Sequence, residues 1–226
     1  MAAEDAALLG QTTVPLVRRL LYGFLHREGV RRGDAENMRW RQLDLELGTL
    51  RIEVDKTKHS RLFSLTPGVV RALRAWRELK GSVAPNDLVM TDIEGKLPAM
   101  DHLADQLRQD LRSAGVTRRE LFEADGGWGR LNVHTLRHSF VTRSLALGVS
   151  EDTVRQHTGH RSGELQRYRE SAKSAADLAL KELTPLDEAI PEFVKLGQKL
   201  GHELGQTEKR VPEIERVNVR NSSVLN

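Results

Sequence analysis

Apolar residues return every three or four positions along most of this chain, and that period limits the folds open to it. Val14, Val17, Leu20, Leu21, Phe24 and Leu25 form one stripe of a helix with Thr13 as its cap and Pro15 in its first turn. Tyr22 lies in the same helix and reads as a packed aromatic. Gly29 ends it, and a second helix holding Met38 and Trp40 follows. Val69, Val70, Leu73, Trp76 and Leu79 repeat the pattern after Thr66-Pro67, and Leu103, Leu107, Leu111 and Ala114 repeat it before Gly115. Another helix opens near His134, carries Leu136, Phe140, Val141, Leu145 and Leu147, and stops at Gly148. Ser150 caps the next one, which ends at Gly159, and Ile190, Phe193, Leu196, Leu200 and Leu204 predict a last.

The period shortens to two around the Gly48 turn, from Leu45 to Val54, and again from Arg61 to Leu65. Asp55-Lys56-Thr57-Lys58-His59-Ser60 between them predicts the tip of a basic β-hairpin. Leu88 to Met90 reads as a short extended piece, and residues 116–131 as an irregular stretch with Trp128 packed in a long turn. The expected fold class is α+β, predominantly α-helical, with a small antiparallel sheet. Residues 1–12 read as a frayed lead-in, 13–185 as the main domain, and 186–226 as a C-terminal helix with a polar tail.

Composition narrows the function classes only a little. Lysine and arginine number 35 against 32 acidic residues, so a net charge of +3 does not by itself require nucleic acid. The chain has no cysteine, which fits a reducing compartment and removes thiolate metal sites. No run approaches the roughly 18 apolar residues of a membrane span, and no basic-then-apolar leader opens the chain. A cytoplasmic protein with no membrane association is expected.

The chemistry concentrates between residues 134 and 168: His134-Thr-Leu-Arg137-His138, then Thr158-Gly159-His160, then Arg167-Tyr168-Arg169. His134 and His138, or His157 and His160, have spacings that can bind zinc. Yet Thr135 stands where a zinc protease needs its glutamate base, and Arg137 would repel the metal, so no metal is expected. For His138 and His157 a structural role is the better reading. Arg137, inside an otherwise apolar helix, needs an anion or solvent. Arginines that grip phosphate oxygens, histidine donors and a phenol nucleophile suit in-line attack on a phosphodiester. A lysine can protonate the departing alkoxide, and no metal, nucleotide or other cofactor is then needed.

These residues resemble the C-terminal catalytic domain of the tyrosine recombinases, or phage-type integrases, over roughly residues 13 to 180. Gly29-Val-Arg31-Arg32-Gly33-Asp34 looks like the first conserved arginine with its acidic partner, so Asp34 would hold Arg31. Lys56-Thr-Lys58-His59-Ser-Arg61 looks like the hairpin that delivers the catalytic lysine, with Lys56 at the matching place. His134-x-x-Arg137, Gly159-His160 and Tyr168 match the remaining boxes. The chain departs from the pattern in three places: Asp34 where many members have glutamate, Thr158 in place of the usual leucine, and Ser64 in place of a common proline. The 160-to-168 interval is also one residue shorter than the commonest form. One residue turns a helical side chain by about 100°, so the tyrosine segment must re-register.

The resemblance implies a site-specific recombinase that cleaves and rejoins DNA through a 3′-phosphotyrosyl link. Tyr168 would be the nucleophile, Lys56 the general acid, and Arg31, Arg137, His134 and His160 the phosphorane-binding groups. Arg32, Lys58, His59 and Arg61 would contact DNA. The implied partners are double-stranded DNA and further copies of the chain, a tetramer on DNA. It also implies an N-terminal clamp domain; with the first catalytic helix starting so near Met1, weak and salt-sensitive DNA binding is expected. A DNA-binding accessory protein with an inactive site and a type IB topoisomerase are the alternatives.

Overall fold

The structure, a computed structural model, describes residues 2–53, 60–124, 130–161, 163–177 and 182–208. Helices α1 (Ala2–Gly10), α2 (Leu16–Glu28) and α3 (Arg32–Glu36) lead into strands β1 (Leu43–Asp44), β2 (Thr49–Ile52) and β3 (Arg61–Ser64). Helices α4 (Pro67–Lys80), α5 (Leu103–Ser113), α6 (Val133–Ala146), α7 (Glu151–Thr158) and α8 (Arg169–Asp177) follow, and α9 (Leu186–Ala189) and α10 (Pro191–Glu208) complete the described chain. The strands form one antiparallel sheet in the order β1-β2-β3, with Leu50 opposite Phe63 and Leu43 opposite Leu50. This is the expected α+β fold.

Helix α2 is the axis of the molecule. Proline at its N-cap sets φ at −50°, and Gly29 ends it in the left-handed region at φ 58°, its N–H donating to Leu25 O. The predicted stripe is buried, but so is almost every other side of the helix, including Arg19, His26, Arg27 and Glu28. A charged group can be buried only if it is paired; Arg19 and Arg27 meet carboxylates, whereas Glu28 receives only the Thr66 N–H and hydroxyl. Arg19 forks onto Glu192 at the start of α10 and also donates to Leu9 O and Val14 O. Asp5 on α1 accepts from both His26 (2.7 Å) and Arg27 (2.8 Å). Burial opposes the charge on Asp5, and the His26 hydrogen bond with the Arg27 charge overcomes it, leaving its pKa below the ordinary value.

Residues 2–12, expected to be frayed, are therefore ordered. The Ala2–Gly10 helix sends Leu8 and Leu9 into the core, and its Asp5 ties down the buried His26 and Arg27. Other boundaries moved for local reasons. Pro15, with an extended ψ of 133°, is the N-cap, so α2 starts beyond it and leaves Thr13 in the preceding turn. The helix after Gly29 ends at Glu36, and Met38 and Trp40 reach the core from an extended residue and a 3-10 turn. Residues 88–90 make no strand, only an isolated bridge from Leu88 to Arg39. Tyr22 is packed as expected, its hydroxyl donating to Asp110. The hairpin tip with Lys56, Lys58 and His59, the glycine-rich turn with Trp128 and the tail beyond Glu208 lie outside the described residues. Among the described residues, no helix is long and apolar enough to cross a membrane.

Candidate active site

Two glycine-capped helix ends build the site. Gly29 at the end of α2 and Gly159 at the end of α7 both take left-handed conformations, at φ 58° and 69°. Their carbonyls carry the negative end of the helix dipole, and the arginines cross between them. Arg31, two residues past Gly29, donates from Nη2 to Gly159 O at 2.7 Å. Arg137 on α6 donates from Nη1 to Gly29 O at 2.6 Å and from Nη2 to Thr158 O at 2.8 Å. Burial, with Arg31 and Arg61 nearby, pushes Arg137 down to about 10, so it remains charged at neutral pH. Its Nε–H is buried and meets no acceptor among the described residues. A charged donor left open in this way suits an anion.

Helix α6 aims two more groups, His134 and His138, from the same side. Asn132 caps it by accepting from Thr135 N at 3.1 Å, while Thr135 Oγ1 accepts from Asn132 N. Residues four apart share a helical face, so His134 and His138 meet edge to face with ring centroids 4.5 Å apart. His134 faces solvent, and burial together with the charges of Arg137, Arg167 and Arg31 lowers its pKa.

His160 is held from below. The Thr158 hydroxyl donates to Val154 O at 2.6 Å, the helical i−4 carbonyl, and lies 2.7 Å from His160 Nδ1. With its one hydrogen committed, that oxygen can only accept from His160, so Nδ1 carries the proton. Arg137 Nη2 lies 3.2 and 3.3 Å from the two ring nitrogens, and only Nε2 then keeps a lone pair to receive it. Burial first, and Arg137 next, push His160 down to about 4.

Tyr168 is 5% exposed and docked in its own chain. It ends a 3-10 turn, Gln166–Tyr168, that runs directly into α8. Val141, Val154 and Leu165 pack with its ring in a small cluster apart from the main core. Its hydroxyl is hydrogen-bonded to His138 Nδ1 and receives Arg167 Nη2 at 3.2 Å. The ring also stands edge-on to His160, centroids 6.0 Å apart.

Arg31, His134, Arg137, His160 and Tyr168 therefore converge, as the sequence predicted. The Asp34 carboxylate, expected to hold Arg31, pairs with Arg61 at 2.7 Å, and Arg61 also donates to His157 O. Arg61, expected at the DNA, is thus committed within the protein, its side chain only 10% exposed. Arg32, also expected at the DNA, donates to Met100 O. His157 is structural as expected, bonded to Glu28 O and packed between Phe63 and Phe140. His138, expected in a structural role, instead meets the Tyr168 hydroxyl. Its signal was present: it shares a helical face with His134 and follows Arg137.

This helical scaffold, with a small sheet on one side and cations gathered over a docked phenol, is the catalytic-domain fold of the tyrosine recombinases. The chain belongs to the phage integrase family, whose profile matches residues 4–175 and so takes in most of α1. It is 29% identical over 136 residues to a Sinorhizobium fredii protein named as an integrase/recombinase, y4gC, covering 59% of this chain and 65% of that one. It is 28% identical over 142 residues to the tyrosine recombinase XerC of Xanthomonas campestris pv. campestris, covering 63% of this chain and 40% of that one. This chain thus spans under two thirds of either relative. Among solved structures, the XerA recombinase overlays with a TM-score of 0.60 at 19% identity, covering 80% of this chain and 64% of that one. DNA-bound lambda integrase (residues 75–356) overlays with a TM-score of 0.59 at 18% identity, covering 81% and 63%.

Proposed function

We propose that this chain is the catalytic unit of a site-specific DNA recombinase and that Tyr168 is its nucleophile. One observation carries the reading: Arg31 and Arg137 close on the Gly159 and Thr158 carbonyls, with His160 against Arg137, beside a tyrosine already docked in the same chain. The open Nε–H of Arg137 supports it, because a phosphate oxygen is a fitting acceptor. Tyr168 Oη attacks the scissile phosphorus, the P–O5′ bond breaks, and a 3′-phosphotyrosyl link remains with a free 5′-hydroxyl. Arg31, Arg137 and His134 bind the equatorial oxygens where charge accumulates, and His160 donates or accepts from the same side. Lys56, by its resemblance to the family lysine, protonates the leaving oxygen. Attack by a 5′-hydroxyl of another strand reverses these steps, without metal or nucleotide.

The similarity of fold to lambda integrase, solved as a tetramer on a Holliday junction, supports assembly of several copies on DNA. The docked phenol favours an enzyme over a DNA-binding accessory protein with an inactive site. The test is covalent capture. The protein is mixed with a randomised library of nicked duplexes, in which cleavage releases a short strand and traps the adduct. Adducts that resist denaturation with the parent protein, and none with Tyr168→Phe, are expected. A Tyr168→Phe protein that still captures DNA has another nucleophile.

A further inference from the structure

The protein has to remove a proton from a phenol that Arg137 and Arg167 alone cannot accept, since an arginine only donates. We propose that His138 is the catalytic residue that holds the Tyr168 hydroxyl and takes its proton as Oη attacks phosphorus. This rests on the recombinase reading above and assigns the base which that reading leaves open.

The hydrogen bonds around Oη lead to this residue. Its described partners are Arg167 Nη2, a donor, and His138 Nδ1. In the proposed arrangement the phenolic hydrogen points to Nδ1, which holds a lone pair, and the His138 proton sits on Nε2. His160, the other imidazole near the ring, is already occupied: Nδ1 donates to Thr158, and Arg137 Nη2 faces Nε2. His138 and Tyr168 rings are also within stacking range, centroids 5.3 Å apart and tilted by 36°. Because His138 stands on α6 beside Arg137, the base and the phosphate-gripping arginine are spaced by one rigid helix.

The surrounding charges make the step depend on substrate. Burial, then His134, Arg167 and Arg137, keep His138 down to about 4 in the free protein, so its imidazole is neutral. A phosphodiester entering among the arginines offsets their charge and favours the imidazolium. In the forward step the Oη–P bond forms, P–O5′ breaks, the Oη proton passes to Nδ1, and the general acid protonates O5′. In religation Nδ1 returns that proton to the departing phenol oxygen, so the base is regenerated.

The experiment uses the same nicked library, with the parent protein, His138→Asn and His138→Phe, each also made with 3-fluorotyrosine at position 168. Asparagine preserves an acceptor near Nδ1 but is no base. A positioned base contributes at least about a hundredfold, so both variants should form the adduct about a hundredfold more slowly. Fluorotyrosine, whose phenol is more acidic, should restore His138→Asn by about tenfold and change the parent little. Variants that cleave at the parental rate overturn the proposal and leave the recombinase reading intact. Slow variants that fluorotyrosine does not rescue also overturn it, reducing His138 to a positioning role. A folded parent that captures no DNA brings down the recombinase reading and this proposal with it.

Discussion

The Thr158 hydroxyl lies between Val154 O at 2.6 Å and His160 Nδ1 at 2.7 Å, and it can donate to only one of them. The carbonyl takes the hydrogen, so His160 must donate, and the nitrogen left with a lone pair is Nε2. A leucine at this position has no hydroxyl and could not impose that choice. Thr158→Val keeps the shape and removes the oxygen, and the neutral ring should then populate both tautomers. We expect ¹⁵N spectra of labelled His160 to move toward a mixture and DNA capture to slow by about tenfold, as a misassigned tautomer costs in general acid–base work. Thr158→Ser should restore both. A single Nδ1–H tautomer in Thr158→Val would show that the hydroxyl does not set it.

Both imidazoles beside Tyr168 should remain neutral far below the ordinary histidine range. Burial and neighbouring arginines hold His138 and His160 each down to about 4, whereas an unfolded chain titrates them near the ordinary histidine value of 6.5. Between those values the unfolded chain binds protons that the folded one refuses. Stability from this source is therefore complete above pH 6.5 and falls as pH drops toward 4. NMR titration of the DNA-free protein should show no midpoint for either ring between pH 5.5 and 8. A midpoint near 6.5 for either would mean that the site is solvated and open.

How much of this was legible in the sequence depends on the kind of interaction. The helices and the α+β class were legible, because a period of 3.6 or 2 is a property of neighbours along the chain. The convergence of Arg31, His134, Arg137, His160 and Tyr168 was legible only through the resemblance; nothing local places residue 31 beside residue 159. Which partner each charge chooses was not legible. Asp34 is three residues from Arg31, and proximity in sequence suggested a pair; the sheet carries Arg61 to it. Helix α1 was missed for a similar reason. Its small and acidic residues show no strong stripe, and its purpose, to bring Asp5 to His26 and Arg27, is visible only once α2 is buried.

Gly159 should tolerate no side chain. Its φ of 69° already disfavours one, and a Cβ there would stand 2.9 Å from the Arg61 guanidinium carbon. Gly159→Ala therefore strains the backbone and displaces Arg61 from Asp34, a pair whose side chains are 10% and 14% exposed. The left-handed conformation alone costs about 1 kcal/mol, and disturbing a mostly buried pair adds to it, so a loss of about 2–4 kcal/mol by urea unfolding is expected. Capture of DNA should fall too, since Gly159 O also receives Arg31. A parental midpoint and rate would mean that α7 can shift without loss.

Glu28 should make the protein less stable as pH rises through neutrality. It is fully buried; Thr66 N and Oγ1 both donate to Oε1, at 2.9 and 2.8 Å, while Oε2 has no hydrogen-bond partner among the described residues. His157 Nε2 is 3.8 Å from Oε2 but bonds to the Glu28 backbone carbonyl instead. Burial outweighs the Thr66 bonds and the Arg27 charge and raises the carboxyl from 4.5 to about 7. Between those values the folded state binds more protons than the unfolded one, so stability falls with rising pH and the loss is complete above pH 7. At 1.36 kcal/mol per unit this is about 3 kcal/mol. Glu28→Gln keeps the Oε1 acceptor and removes the charge. The variant should unfold at higher urea than the parent at pH 8.5 and match it near pH 4.5. The histidine contribution slopes the opposite way with pH, but both proteins share it, so the difference between them isolates Glu28. A parent more stable than Glu28→Gln at pH 8.5 would show that the buried carboxylate is paired while ionised, with His157⁺ as its partner.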